Sequence, residues 1–398
     1  MTPRGIDALE VDGRRVLCRV DFNVPLADGV IGDDTRIRAA LPTIRALRER
    51  NARVVLCSHL GRPKGTRDPA ASLAPVRVRL EELLGAPVGF TDDCVGEAAV
   101  AATRALADGD VLLCENVRYH AGEEQNDPAF AAELAKLGDV YVNDAFGAAH
   151  RAHASTEGVA HLLPAAAGRL LQRELEALGG LLDAPEHPFV VISGGVKVAD
   201  KIGVIEQLAR TADSILIGGA MAFTFAIAQG LSVGKSLHED EAGQETARRA
   251  VEACDEHGCE LLLPADVVCG REFSAAGEQR TFPLEAIEDG WMGLDVGPLT
   301  VEQYAARITT ARTAFWNGPM GAFELAPYAA GTMAIAAAMA ACRGTTVVGG
   351  GDSVAALVAA GLADEVTHVS TGGGAGLELL EGRVLPGVAA LPEAEGAS

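Results

Sequence analysis

Residues Phe189–Lys201 read FVVISGGVKVADK, and this stretch decides the fold class. Its apolar, β-branched run predicts a buried strand at Phe189–Ile192. The glycine pair that follows, Gly194-Gly195, is typical of a tight turn that leads into a helix. Glycines at such a turn let backbone N–H groups approach a phosphate, and the helix N-terminus adds a favourable dipole. The stretch therefore predicts a strand–turn–helix unit with an anion site at its turn.

The same alternation of short apolar runs and longer helical patterns continues from end to end of the chain. It predicts an α/β protein with parallel sheets and helices on both faces. The other predicted strands are Val16–Val20, Arg53–Cys57, Pro87–Phe90, Val111–Cys114, Val140–Asn143, Ser214–Ile217, Glu260–Leu263, Ala314–Trp316, Thr345–Val348 and Thr367–Val369.

The chain length of 398 residues exceeds what one hydrophobic core usually supports, so we expect two domains. Between the halves, Pro164–Asp183 carries leucines on one helical stripe and predicts a connecting helix, with Gly179-Gly180 as its stop signal.

Charge and composition exclude several classes of protein. A formal net charge of -22 argues against binding to nucleic acid or to anionic lipid. The first residues lack an export signal, and no apolar run reaches the roughly 18 residues of a membrane span. The eight cysteines form no CxxC pair and sit in apolar runs, which predicts reduced thiols in the core of a cytoplasmic protein.

Polar and basic residues follow the predicted strands of the first half. In open α/β sheets, ligands bind beyond the carboxyl ends of the strands, and arginine forks match carboxylate and phosphate oxygens. Any one of these arginines alone is better explained as a solvated surface residue, and Asp21 and Asn23 alone as turn formers. As a set they favour a pocket for a small phosphorylated acid. The basic members are Arg36, His59, Arg62, Arg118 and Arg151.

Lysine is rare in this chain: five lysines stand against 28 arginines among 33 basic residues. Two of the five, Lys197 and Lys201, follow the Gly194-Gly195 turn four residues apart, which predicts one face of a helix. An exposed helix face explains such a pair equally simply. Because arginine supplies most of the positive charge elsewhere in the chain, we favour a role for these two lysines in neutralising a transferred phosphoryl group.

The second half supplies glycine clusters after its strands. The segment Gly349–Ser353, GGGDS, offers backbone donors for phosphates, and its carboxylate, Asp352, is suited to Mg²⁺. A strand-to-helix turn capped by Asp or Ser has the same sequence pattern, so the segment alone does not decide between the two. Glu324 is a candidate partner for ribose hydroxyls or a solvated loop residue. No Walker GxxxxGK[ST] motif and no protein-kinase motif set occurs, so the nucleotide reading requires another kind of kinase.

Ten motifs in order resemble those of the phosphoglycerate kinase family over about Val11 to Leu391. They are RVDFNVP, SHLGRP, ENVRYH, VNDAFGAAHRAHAS, GGVKVADK, IGGAMAFTF, WMGLDVGP, WNGPMGAFE, GGGDS and STGGGAGLELLEG. The resemblance implies a monomer that moves a phosphoryl group between 1,3-bisphosphoglycerate and Mg-ADP, giving 3-phosphoglycerate and ATP by in-line transfer after hinge closure. It implies a phosphoglycerate-binding domain at 1–165 with the tail 382–398, a hinge helix at 166–183 and a nucleotide domain at 184–381.

The resemblance also assigns site residues. Phosphoglycerate would be bound by Asp21, Phe22, Asn23, Arg36, His59, Leu60, Gly61, Arg62, Arg118 and Arg151. The nucleotide would be bound by Lys201, Gly293, Glu324, Gly350, Gly351, Asp352 and Ser353, with Asp352 on Mg²⁺. Arg36, Lys197, Lys201 and Gly373 would act in transfer.

Three positions depart from the family motifs: Val196 replaces a usual alanine, Ala148 a common threonine, and Gly376 a serine. None of them removes a group assigned to the chemistry. Two other readings stay open on the residues alone. One is a different small-molecule kinase on this scaffold, and the other is a two-domain solute-binding protein.

Overall fold

The computed structural model describes residues 2–394; residues 1 and 395–398, which fall in the predicted first domain and its tail, lie outside the described residues. The chain forms two compact units. Unit 1 extends to Glu176 and resumes at Val384, and unit 2 comprises Ala177–Arg383.

Unit 1 is built on a six-stranded parallel sheet in the order β5-β6-β4-β1-β7-β8, with a small β2-β3 hairpin. Its strands are β1 Arg15–Arg19, β2 Leu26–Ala27, β3 Val30–Ile31, β4 Arg53–Cys57, β5 Val88–Thr91, β6 Val111–Cys114, β7 Val140–Asn143 and β8 Ala165–Ala167. Its helices are α1 Thr35–Glu49, α2 Ala74–Leu84, α3 Gly96–Arg104, α4 Ala121–Glu124 and α5 Pro128–Ala135, and in the tail α14 Pro386–Ala389.

The core of unit 1 follows from β-branched residues in register on neighbouring strands. Val16 of β1 is paired with Val54 of β4 on one side and with Val140 of β7 on the other. All three side chains are buried. Each buried valine contributes about 1.5–3 kcal/mol of transfer free energy, so this row stabilises the packing of β4 and β7 beside β1.

Unit 2 contains a second six-stranded parallel sheet, β11-β10-β9-β15-β16-β17, and a three-stranded antiparallel sheet, β13-β12-β14. The strands are β9 Phe189–Ser193, β10 Ser214–Ile217, β11 Glu260–Leu262, β12 Asp266–Gly270, β13 Gln279–Pro283, β14 Met292–Val296, β15 Thr313–Asn317, β16 Thr345–Gly349 and β17 His368–Val369. The helices are α7 Ile202–Leu208, α8 Met221–Ala228, α9 Glu241–His257, α10 Pro298–Thr310, α11 Ala330–Ala341, α12 Gly351–Ala359 and α13 Gly374–Leu380.

The α/β class with two parallel sheets is confirmed, and each predicted strand is present within a residue or two of its predicted bounds. Two features were not predicted. Ala165–Ala167 pairs with β7 as strand β8, although alanine favours helices and the run was assigned to the connecting helix. The antiparallel sheet was also missed, because its strands alternate only weakly between apolar and polar residues.

The connecting helix, α6, runs Arg169–Asp183, and the predicted stop at Gly179-Gly180 is wrong. Leu178 and Leu181 on either side of the glycines are 1% exposed. Their burial outweighs the cost of glycine in a helix, which is about 1 kcal/mol per residue. At the other end, Asp144 Oδ1 accepts hydrogen bonds from the free first-turn amides of Leu170 and Leu171 at 2.9 and 3.3 Å.

The predicted core positions of the cysteines are confirmed, since all eight thiols are buried, and the structure shows each of them free. Among residues 2–394, no helix combines the length and apolar character that crossing a bilayer requires.

Candidate functional site

The predicted acid-binding residues of unit 1 meet at the carboxyl edge of its sheet, joined by hydrogen bonds between loops. Arg36, on α1, donates a hydrogen bond from Nη1 to Oδ2 of Asp21 at 2.9 Å. Asp21 lies just after β1. Asp21 Oδ1 accepts from the amide of Asn23 at 3.1 Å. Asn23 Oδ1 in turn accepts from the amide of Gly61 at 2.9 Å, after β4. The loops after β1 and β4 are therefore held together by the residues predicted to bind the ligand.

Arg118 is attached to the same framework. Its Nη1 donates to the carbonyl of Gly61 at 2.8 Å. Its Nε lies 3.4 Å from Glu124 Oε1 but makes no hydrogen bond to any described residue. Burial lowers the pKa of Arg118, although the group stays charged at neutral pH. A buried guanidinium with an unused donor is suited to an anionic ligand.

His59 is buried beside the arginines and is neutral. Arg19 Nη2 lies 3.1 Å from its Nδ1. Burial holds the pKa of His59 well below its usual value, and Arg19, Arg118, Arg36 and His153 lower it further. The ring therefore acts as a hydrogen-bonding group rather than as a charge in this site.

The remaining predicted residues of unit 1 differ in exposure. Arg62 and Arg151 are exposed, and Arg151 Nε donates to His150 Nε2 at 3.1 Å. Phe22 and Leu60 are in the core, at 0% and 3% exposure. The side chains of Phe22 and Leu60 thus serve packing, and these two residues offer a ligand only their backbone groups.

In unit 2, three of the predicted nucleotide residues line one cavity of about 720 Å³: Gly293, Glu324 and Asp352. Much of the wall is apolar, with Phe223 and Leu294 among its side chains. An apolar cleft with a few polar groups is the usual form of a small-molecule site.

Glycine lets backbone segments of unit 2 come close together at this cavity. A Cβ on Gly194 would lie 2.1 Å from the carbonyl oxygen of Pro319, and one on Gly293 would lie 2.1 Å from Phe223 Cζ. Gly219 has φ +67°, which side chains rarely adopt. Larger residues at Gly194 or Gly219 would force the loops after β9, β10 and β15 apart, and one at Gly293 would displace the ring of Phe223.

The lysine pair is not arranged as predicted. Helix α7 begins at Ile202, so Lys201 is its N-cap residue and Lys197 lies in the preceding turn, exposed. The single-helix-face prediction is therefore wrong. Lys201 Nζ donates to Asn317 Oδ1, and burial lowers the pKa of Lys201 while Asp200 and Asp352 oppose the shift.

The GGGDS segment joins the end of β16, at Gly349, to the start of α12. Gly350, with φ +86°, is the N-cap, Gly351 and Asp352 are exposed in the first turn, and Ser353 is buried. Ser353 Oγ accepts from the amide of Gly318 at 2.6 Å, tying α12 to the loop after β15. Gly373, with φ +52°, holds the same N-cap position before α13.

The three departures from the family motifs lie outside the groups assigned to chemistry. Val196 is 55% exposed on the cavity wall, and Ala148 is buried at 4% exposure. Gly376 lies inside α13, where it is not a cap, because Gly373 has that position.

Sequence reasoning missed several polar residues of these sites. Lys235 lines the unit 2 cavity. Because lysine is rare in this chain, Lys235 could have been selected as a candidate from the sequence. Asn317 contacts Lys201, and its place in the WNGPMGAFE motif did not indicate that contact. Arg19 and Glu123 are both fully buried, and Arg19 contacts His59, facts that only the fold reveals.

Comparison with known proteins places the chain among kinases. The phosphoglycerate kinase family model matches residues 6–383. The chain is 58% identical to the phosphoglycerate kinase of Chloroflexus aurantiacus over 401 residues, covering 99% of this chain and all of that protein. It is 57% identical to that of Rubrobacter xylanophilus over 395 residues, with 99% and 100% coverage.

Solved structures agree with these relatives. Phosphoglycerate kinase from Coxiella burnetii superposes with a TM-score of 0.89 at 41% identity, covering 98% of each chain. The enzyme from Pyrococcus horikoshii superposes with a TM-score of 0.84 at 33% identity, again over 98% of each chain. With the sequence match spanning nearly the whole chain and both folds agreeing, the chain belongs to the phosphoglycerate kinase family.

Proposed function

We propose that the chain is a glycolytic phosphoglycerate kinase in which the residues of unit 1 bind the acid substrate and those of unit 2 bind the nucleotide. Membership of the family makes the chain a kinase with a carboxyl group as acceptor, acting on small molecules and using ADP and ATP as substrates. What we add is the assignment of binding and transfer to individual residues.

The acid substrate binds to unit 1 in this proposal. The supporting observation is that Arg36 and Arg118 are linked through Asp21, Asn23 and Gly61 into one framework, while His59 is buried against Arg19. A preformed set of donors costs little ordering entropy when 3-phosphoglycerate binds. The exposed Arg62 and Arg151 add charge at the same edge, where the phosphate and carboxylate of the ligand need it.

The nucleotide binds to unit 2. The apolar wall of the cavity suits a purine base, and Glu324 suits ribose hydroxyls. Gly350, Gly351 and the N-terminus of α12 offer amides to the phosphates, while Ser353 fixes the loop. Asp352 is exposed at the cavity, and its carboxylate is the ligand type that Mg²⁺ prefers. When bound there, Mg²⁺ supplies charge neutralisation for the nucleotide phosphates.

In this proposal the protein forms no covalent bond to the transferred phosphoryl group. An oxygen of the ADP β-phosphate attacks the acyl phosphorus, and the bond to the carboxylate oxygen breaks, with 3-phosphoglycerate as leaving group. Arg36, Lys197 and the backbone amides after Gly373 stabilise the equatorial oxygens. Lys201, held by Asn317, keeps its ammonium next to the nucleotide phosphates. Because the two substrates bind to different units, we infer that hinge closure precedes transfer.

The test measures 1,3-bisphosphoglycerate formation from 3-phosphoglycerate and Mg-ATP in a coupled assay. We expect Arg36→Ala and Lys201→Ala each to lower kcat/KM by about 10²–10³, the usual cost of one transition-state donor. Arg38→Ala, an exposed neighbour on α1 paired with Asp34, is the control and should stay within twofold of wild type. Near-wild-type rates in both site variants would disprove the assignment.

We also propose a cytoplasmic monomer that binds no nucleic acid. Eight buried free thiols are compatible with a reducing compartment, and the net charge of -22 repels polyanions.

A further inference from the structure

Two ionisable side chains of opposite type in unit 1 are fully buried and have no role in the reaction described so far. Arg19, the last residue of β1, and Glu123, in α4, are both 0% exposed. Burying an ion costs several kcal/mol unless it is paired and hydrogen-bonded. Arg19 contacts His59, so the burial of this pair calls for a structural explanation.

Ser155 connects the two charges through hydrogen bonds of fixed direction. Arg19 Nε lies 2.7 Å from Ser155 Oγ, and Ser155 Oγ lies 2.5 Å from Glu123 Oε1. The amide of Ser155 donates to the other oxygen, Glu123 Oε2, at 2.9 Å. Arginine only donates, so Ser155 Oγ accepts from Arg19 and gives its own proton to Glu123. Glu123 is thus the terminal acceptor of the relay.

The other end of the relay determines the state of His59. Arg19 Nη2 lies 3.1 Å from His59 Nδ1, and Nη1 donates to the carbonyl of Val20. Because the guanidinium has no acceptor, Nδ1 must accept, and the proton of the neutral ring is then on Nε2. A neutral ring with a fixed Nε2–H offers one donor to an anion without adding charge.

We propose that Glu123 is a positioning residue for phosphoglycerate: through Ser155 and Arg19, it holds His59 in the neutral Nε2–H tautomer that the ligand requires. This inference rests on the proposed function of the unit 1 site. It does not make Glu123 a contact of the ligand. It accounts for a buried acidic side chain in a unit that binds an anion.

The direction in which 3-phosphoglycerate affinity changes when Glu123 is replaced distinguishes a positioning role from a simple electrostatic one. Removing a carboxylate near a polyanion site raises the local positive potential and, by Coulomb's law alone, tightens anion binding. A positioning role predicts weaker anion binding when the carboxylate is removed, because Arg19 then loses the acceptor at the end of the relay and no longer holds His59 in place. In Glu123→Gln we expect the Kd for 3-phosphoglycerate to rise about tenfold, the cost of one charge-assisted hydrogen bond, while the Kd for ATP changes less than twofold.

The control is Glu115→Gln, the same chemical change at another buried glutamate of unit 1. Glu115 is 2% exposed and accepts from Ser72 Oγ and the amide of Leu73 at 2.7 and 2.8 Å. We expect it to lower the thermal midpoint as Glu123→Gln does, but to leave the Kd for 3-phosphoglycerate unchanged. If Glu123→Gln does not fold, Ser155→Ala breaks the same relay with a smaller change.

A second readout needs no ligand. Nitrogen NMR of the histidine rings reports which nitrogen of His59 carries the proton, and we expect Nε2–H in wild type and a mixture of tautomers in Glu123→Gln and Ser155→Ala. Tighter or unchanged 3-phosphoglycerate binding in these variants, equal losses for ATP, or an unaltered tautomer would overturn the positioning role. A wild-type protein that binds no 3-phosphoglycerate would instead refute the proposed function.

Discussion

At the carboxyl edge of its sheet, unit 1 places charged side chains that are held by other side chains, whereas unit 2 places backbone amides that glycines leave accessible. In unit 1, Arg36, Asp21, Asn23 and Gly61 form a chain of hydrogen bonds. In unit 2, the equivalent positions are glycines with close backbone neighbours, such as Gly194 against Pro319.

The difference teaches that one sheet architecture supports two kinds of anion site with different weaknesses. Buried ionisable groups make the unit 1 edge sensitive to protonation. Backbone donors do not titrate, so the glycine turns of unit 2 are sensitive to any added Cβ rather than to pH. Asp295 on the cavity wall is an exception, because burial raises its pKa to about 7. Each weakness has its own experiment.

The largest effect we expect is on the pH dependence of stability, through Asp144 after β7. Burial raises the pKa of Asp144 to about 7 from 3.8. The folded state therefore holds a proton between these pH values that the unfolded state releases, and stability falls as pH rises through that window. Asp144→Asn removes the penalty, so its gain over wild type should grow between pH 5 and pH 8 by on the order of 3 kcal/mol.

Chemical denaturation at several pH values measures this gain. Asp34→Asn is the control, because hydrogen bonds from Arg38 lower the pKa of Asp34, and desolvation only partly opposes them. Its stabilisation is present above the ordinary pKa and lost only in more acidic solution. The stability difference of Asp34→Asn from wild type should thus stay constant from pH 5 to 8. Parallel pH curves for wild type and Asp144→Asn would contradict the prediction.

The next effect tests the backbone side of the comparison, at Gly350. Alanine at φ +86° costs about 1–2 kcal/mol of strain, and its Cβ would lie 3.2 Å from Asn317 Nδ2. We expect Gly350→Ala to weaken ATP binding about tenfold, because the amides that would cradle the phosphates are displaced. Calorimetric titration with Mg-ATP measures this change, and titration with 3-phosphoglycerate should give the wild-type value.

Gly361→Ala is the matched control for strain alone. Gly361 has φ +70°, follows the end of the same helix, and has no described heavy atom within 4 Å of an added Cβ. It should lose similar stability and keep wild-type ATP affinity. An equal affinity loss in both variants would show that strain, not the position of the amides, sets nucleotide binding.

The comparison also explains which features the sequence predicted. Strands such as Arg53–Cys57 were placed correctly because buried parallel strands are continuous apolar runs. Arg36 and Arg118 were selected by residue type and by their place near the ends of strands, and their role in binding stays a prediction. The Glu123–Ser155–Arg19 relay was not, because its members are far apart in sequence and only the fold brings them together. Glycines were recognised as clusters, but their close neighbours are a property of tertiary packing.

The smallest effect concerns a glycine of the connecting helix that lacks the role of those in the unit 2 site. Gly180 lies inside α6, and an added Cβ would meet no described heavy atom within 4 Å outside its own helix. Gly180→Ala should raise the free energy of unfolding by about 0.5–1 kcal/mol, since alanine loses less backbone entropy in a helix. In Gly203→Ala, on α7, the Cβ would lie 2.9 Å from Glu381 Cγ, so no comparable gain is expected. Thermal denaturation of both variants decides: a destabilised Gly180→Ala would mean that this glycine is as constrained as Gly194 or Gly293.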